Sequence, residues 1–179
     1  MDDFLVLVDS ADNEIGYNEK NDVHIKGQLH RAFSLFIYDK TENKVLLHRR
    51  ARRKYHSGGL WTNSCCSHPR KEEKLADAII RRTYEELGLD IAGYRDSLIE
   101  AGKFHYFKQF EKCAENEIDH VFVLILEKQP VLNINTDEIE EIRWQSVEEI
   151  FAMIGAEPEQ FTAWFSEAFT LAAKKIGER

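Results

Sequence analysis

Apolar positions recur along this chain with two different periods, and each change of period marks an element. Phe4–Asp9 opens with an apolar run that reads as a strand, and the polar residues of Asp9–Asn13 close it in a turn. Arg31–Tyr38 alternates, with Phe33, Leu35 and Ile37 on one side, as a half-buried strand does. Asp39–Asn43 supplies turn residues and Val45–Arg49 returns, so the two segments are predicted to form a hairpin. Arg50–Gly59 is expected to be a loop. From Lys74 to Leu87 the spacing becomes helical through Leu75, Ala78, Ile79 and Leu87, and Gly88 stands where a helix would end. Phe104–Phe110, Ile118–Glu127 and Glu141–Gln145 read as further strands, and Val147–Ile154 and Glu159–Ile176 as C-terminal helices. Strands and helices that come in runs, without strict alternation, predict an α+β fold with a mixed or antiparallel sheet flanked by helices.

Length and charge narrow the picture. The 179 residues, 43% hydrophobic, suffice for one core without disulfide or metal staples, so a single domain over 1–179 is expected. There is no Pro/Gly-rich hinge; proline occurs only at Pro69, Pro130 and Pro158. The net charge of -8 argues against nucleic acid or a membrane surface as a partner, because both select basic proteins. A small anionic ligand needs only a local basic patch. The longest later apolar run, Val121–Leu126, is far shorter than a membrane span. Met1–Asp3 lacks the basic start of a signal peptide, and Phe4–Val8 is too short to be one. Cys65, Cys66 and Cys113 make no disulfide framework. The expectation is a reduced, cytoplasmic, soluble protein.

Four groups of residues carry candidate chemistry. Cys66 and His68 lie two apart in Trp61–Pro69, so an extended backbone would put both on one face. A cysteine near cations could be a low-pKa acid, base or nucleophile; the plain alternative is a buried structural thiol. Glu115 and Glu117 would likewise share a face, and side-by-side carboxylates favour a cation between them. With the imidazoles of His24, His30 and His68 they could complete an N/O site for Mn, Mg, Fe or Zn. On the predicted helix, Glu86 falls four residues after Arg82 and can point with it, while Glu85 reads as a solvated ion-pair partner. Arg49–Lys54 holds five cations in six positions, which with a divalent metal and Lys20 would make a diphosphate cage.

Trp61-Thr62-Asn63-Ser64-Cys65-Cys66-Ser67-His68-Pro69 closely resembles the signature of type I isopentenyl diphosphate isomerases, enzymes of the Nudix fold. Leu29-His30-Arg31-Ala32-Phe33-Ser34 and Glu115-Asn116-Glu117 fit the same family, and the resemblance runs from about Phe4 to Phe165. It implies an enzyme that interconverts isopentenyl and dimethylallyl diphosphate. Cys66 then matches the catalytic cysteine and Glu117 the catalytic glutamate. His24, His30, His68, Glu115 and Glu117 match the metal ligands, for Mn2+ or Zn2+. Glu86, with the Cys66 carbonyl, matches the holder of a Mg2+ that bridges to the diphosphate. Lys20, Arg50, Lys54 and Arg82 match diphosphate-binding positions, Tyr106 the tyrosine beside the glutamate and Trp164 the active-site tryptophan. For Trp164 the plain alternative is a core anchor of the last helix.

The Nudix box itself is degenerate. Aligned on Gly88, it places Ser67 at its first Gly, Glu73 at its first Glu, Arg81 at its Arg and Arg82 where the next Glu belongs. Losing that carboxylate argues against the alternative, a Nudix-type pyrophosphate hydrolase. Asp119-His120, after the second glutamate, departs from the commonest isomerase pattern with no loss of activity expected.

Overall fold

The parallel pairing of two long strands, β3 (His30–Asp39) and β8 (Ala114–Leu126), forms the centre of the sheet in the computed structural model, which describes residues 4–54 and 56–178. The remaining strand–strand pairings among the described residues are antiparallel, so the sheet is mixed. β1 (Phe4–Val8), β6 (Cys65–Ser67) and β4 (Lys44–Arg50) share the other edge of β3 in turn, along its length. β2 (Glu14–Glu19) flanks β1, β5 (Trp61–Thr62) and β9 (Ile139–Gln145) flank β4, and β7 (Ile99–Gln109) flanks β8.

Strand alternation gives the sheet two apolar faces, and both are covered. On one face Phe33, Leu35, Ile37, Phe122 and Leu124 pack with Ala78, Ile79 and Leu87 of α2 (Leu75–Leu87). On the other, Phe36, Val45, Leu47, Val121 and Val123 pack with Phe165, Ala168 and Phe169 of α4 (Phe165–Gly177). Phe165 and Phe169 stack with ring centroids 5.7 Å apart, and each fully buried side chain of this kind contributes about 1.5–3 kcal/mol. α2 stops at Gly88, whose φ of 62° is left-handed and whose N–H bonds Tyr84 O at 2.9 Å. α3 (Val147–Ala156) begins in a capping box made by Ser146 and Glu149.

The hairpin, the helix over 74–87 and the strands over 104–110, 118–127 and 141–145 appear where the pattern places them, with ends moved by a few residues. Two readings need correction. The polar stretch after Asn13 is β2 followed by a short helix, α1 (Lys20–Lys26), which the pattern did not suggest. The helix expected over 159–176 is two elements: a 3-10 turn at Pro158–Gln160, then α4. Between them Phe161 bridges Trp61, and Thr162 N–H bonds Trp61 O at 3.0 Å, which draws the chain out of helical geometry. Tyr55 and Met1–Asp3, where the absence of a leader was read, lie outside the described residues. No described helix is long and apolar enough to cross a membrane.

Candidate active site

Register across the sheet assembles the site. Tyr106, Glu117 and His30 form one row across β7, β8 and β3, and paired residues project from the same face. Ala32 and Asp119 form the next row of that face, and Ser34 with Cys66 the one after. This is the face covered by α4, but the helix ends short of these rows. A cavity remains there, lined by Cys66, His68, Glu86, Tyr106, Glu115, Glu117, Asp119 and Trp164, with Lys20, Arg50, Lys54 and Arg82. Every candidate site residue except His24 and His30 lines it. Those two stand directly behind, in contact with Glu115 and Glu117.

His24, His30, His68, Glu115 and Glu117 each offer one ligand atom, and these atoms all lie within 4.8 Å of one another. His30 Nε2 is 3.3 Å and His68 Nε2 2.7 Å from Glu117 Oε1, and His24 Nε2 is 3.5 Å from Glu115 Oε1. α1 is long enough to bring His24 over the sheet edge and hold Nδ1 2.6 Å from Lys20 O. His30 Nδ1 lies 2.8 Å from Gln28 O. Each Nδ1–H therefore donates to a carbonyl, which leaves the Nε2 lone pair aimed at the carboxylates. His30 Nε2 and Glu115 Oε2 are buried with no hydrogen-bond partner. Orphaned acceptors in a closed imidazole and carboxylate set fit a divalent cation, which would supply the missing partner.

Electrostatics sort the acids. Burial, then the neighbouring Glu117, pushes the Glu115 carboxyl up to about 8. Burial would raise Glu117 too, but its bond to Glu115 and the imidazoles of His68 and His30 outweigh it and hold Glu117 well below the usual carboxylate range. Burial takes His68 down to about 3. Burial also pushes the Cys66 thiol up to about 12, the cation Arg50 notwithstanding. The low-pKa cysteine considered from sequence is thus not what the fold provides: Cys66 is a thiol. Tyr106 is likewise held protonated by burial and by Glu117.

The signature segment acts largely through its backbone and amides. Asn63 donates to Cys65 O at 2.9 Å and accepts from Trp164 Nε1 at 3.2 Å, tying the tryptophan to the strand that carries Cys66. The Trp164 ring lies 5.8 Å from Tyr106, and the Arg50 guanidinium 5.6 Å from its centroid. Trp164 both lines the cavity and belongs to the apolar cluster beside α4. Cys65 belongs to the α2 face.

The cation run divides. Arg50 and Lys54 line the cavity, whereas Arg49, Arg52 and Arg53 pair outward with Glu141, Glu140 and Asp137. The five-cation cage is corrected to two members, joined by Lys20 and Arg82. Arg82 binds both Glu86 and Glu85, the latter at 2.7 Å, and these carboxylates raise its pKa against burial. Glu86 is buried at the cavity wall, and burial raises its pKa despite Arg82. His48, His56 and Glu138 line the cavity and escaped the sequence reading, and Asp119 was named there without a place in the site. Asp119 sits in an apolar strand, where period two with Glu115 and Glu117 was the one available signal.

The NUDIX domain matches residues 28–165. Isopentenyl-diphosphate Delta-isomerase 2 of Photorhabdus laumondii is 44% identical over 168 residues, covering 93% of this chain and 90% of the relative. The isopentenyl-diphosphate Delta-isomerase of Pectobacterium atrosepticum is 42% identical over 92% of this chain and 88% of its own length. The chain belongs to the isopentenyl-diphosphate Delta-isomerase family. Solved structures agree on the fold that this isomerase family shares. A Deinococcus radiodurans protein matches with a TM-score of 0.74 at 18% identity, covering 93% of this chain and 97% of that one. The MutT protein of Methanosarcina mazei matches with a TM-score of 0.63 at 19% identity, over 82% and 95%.

Proposed function

We propose that this chain, as one domain, interconverts isopentenyl diphosphate and dimethylallyl diphosphate by adding one proton and removing another. The observation that carries the reading is the arrangement of Cys66 and Glu117, which line one cavity where burial raises the thiol's pKa while Glu115 and the imidazoles lower that of the carboxylate. A double-bond transposition needs one group that holds a proton and one that accepts it. The terminal alkene carbon takes a proton, the allylic carbon loses one, and the double bond moves between them. A thiol and a carboxylate meet that need, and in the reverse direction they exchange roles.

Trp164 and Tyr106 form the aromatic wall beside a tertiary carbocation-like state. A desolvated cation–π contact contributes on the order of 2 kcal/mol. Exclusion of water by the buried walls keeps such a cation from being trapped as an alcohol. Lys20, Arg50, Lys54 and Arg82 are the side chains for the diphosphate, Arg offering bidentate contacts. His24, His30, His68, Glu115 and Glu117 would hold Mn2+ or Zn2+. Such an ion adds positive charge that keeps Glu117 a carboxylate. Glu86, with the Cys66 carbonyl, is one carboxylate at the diphosphate end, which suits Mg2+, an ion that takes most of its ligands from phosphate and water. A thiol of this kind fits a reducing compartment such as the cytoplasm.

Relatives named as isomerases, and an arginine where the box of a pyrophosphatase has its glutamate, favour this reading over hydrolysis. The test is incubation with isopentenyl diphosphate, Mg2+ and Mn2+. The dimethylallyl isomer is expected; release of phosphate, or unchanged substrate, would sink the proposal.

A further inference from the structure

One buried imidazole in the cavity has no part in the reading above. His56 lies in the loop between β4 and β5, and its side chain is 5% exposed. Its Nε2 is 2.8 Å from Glu115 Oε1, closer than the 3.5 Å of His24 Nε2 to the same oxygen. We infer that His56 is a positioning residue for Glu115, fixing one carboxylate oxygen by a hydrogen bond so that the other is turned to a bound divalent ion.

Three observations support this. First, the ring is held: it lies 4.8 Å from Phe110 at 32° and 6.2 Å from Trp164 at 72°. Second, its tautomer is set. Ser57 Oγ is 3.1 Å from Nδ1, and Ser57 itself takes a left-handed φ of 52° there. A carboxylate oxygen only accepts, so Nε2–H donates to Glu115 and Nδ1 is left to accept from the Ser57 hydroxyl. Third, His56 stands outside the five residues whose ligand atoms lie within 4.8 Å of one another, while Glu115 Oε2 is buried with no hydrogen-bond partner. One oxygen is thus held and the other is left for coordination. Partners of this kind orient metal ligands, and their loss weakens metal binding about 10–100-fold.

The inference rests on the proposed metal role of Glu115, and the test separates the two. Mn2+ binding to the full-length, metal-stripped protein is measured by calorimetry for the parent, His56→Phe and His56→Gln. Phe keeps a ring without the donor; Gln keeps an N–H near the Nε2 position. Expected is a loss of about 10–100-fold in Mn2+ affinity for His56→Phe and recovery of most of it by His56→Gln. Isomerisation by His56→Phe should return toward the parent rate at saturating Mn2+. Unchanged Mn2+ affinity in His56→Phe overturns the inference, as does equal weakening in His56→Gln. A parent that binds no Mn2+ overturns the metal reading itself. Should His56→Phe fail to fold, His56→Leu carries the same comparison.

Discussion

Cys66 and Glu117 lie on strands that do not pair with each other; both are placed by β3, where Cys66 pairs with Ser34 and Glu117 with His30. Because those two partners are four residues apart on one strand, both side chains leave the same face. Ala32 lies between them, opposite Asp119. The proposed acid–base pair is therefore only as well positioned as the middle of β3. A lost side chain there acts through geometry: Ser34→Ala removes the 2.7 Å bond from Ser34 Oγ to Asp119 Oδ2 and leaves a buried carboxyl group without that partner. Expected is a stability loss of about 1–3 kcal/mol. Urea unfolding measures it, and an unchanged midpoint would refute the role.

Metal removal should abolish isomerisation. Chelation of the purified protein, followed by Mg2+ together with Mn2+ or Zn2+, should remove and then restore turnover, because the imidazole and carboxylate set at Glu115 and Glu117 is complete only with a cation. Full activity in excess chelator would rule this out.

Much of the fold could be read from the sequence because its signals are local. The alternation of Phe33, Leu35 and Ile37, the helical spacing up to Leu87 and the Gly88 stop each depend on neighbours along the chain. The elements that escaped are held by distant contacts. β6 is three residues long and exists through pairing with β3, and Phe161–Trp164 leaves helical geometry through its bridge to Trp61. The site divides in the same way. Cys66, the glutamates and the histidines could be assigned through resemblance to a family, whereas spacing alone left each of them ambiguous. His56 sits among basic loop residues and carries no local mark. Its meaning arises only where Glu115 meets it across the fold.

Gly88 is a position where glycine is required. Its φ is +62°, and an added Cβ would come within 2.6 Å of Asn133 O. Gly88→Ala should cost at least about 1–2 kcal/mol from the left-handed strain alone, before the backbone clash is counted. Urea unfolding checks it; a midpoint equal to the parent's would contradict the reading.

His48 gives the protein a pH-dependent stability. It is buried with Nδ1 3.1 Å from Ser64 O, and burial lowers its pKa from 6.5 to about 4. Between those values the unfolded chain binds the proton and the folded chain does not. Stability therefore falls as pH drops from 6.5 toward 4, by on the order of 3 kcal/mol from this group. His48→Asn keeps a donor near Nδ1 and cannot titrate. Its unfolding free energy should fall less steeply over that window than the parent's, and equal slopes would exclude the assignment.

The proposed proton-transfer pair can be examined directly by following isopentenyl diphosphate in deuterated buffer by NMR, with the parent, Cys66→Ala and Glu117→Gln. The parent should form the dimethylallyl isomer with deuterium entering the carbon skeleton. Each variant should lose at least about 100-fold in turnover, the scale of a positioned acid or base. If both variants isomerise at close to the parent rate, Cys66 and Glu117 are not the pair that moves the protons.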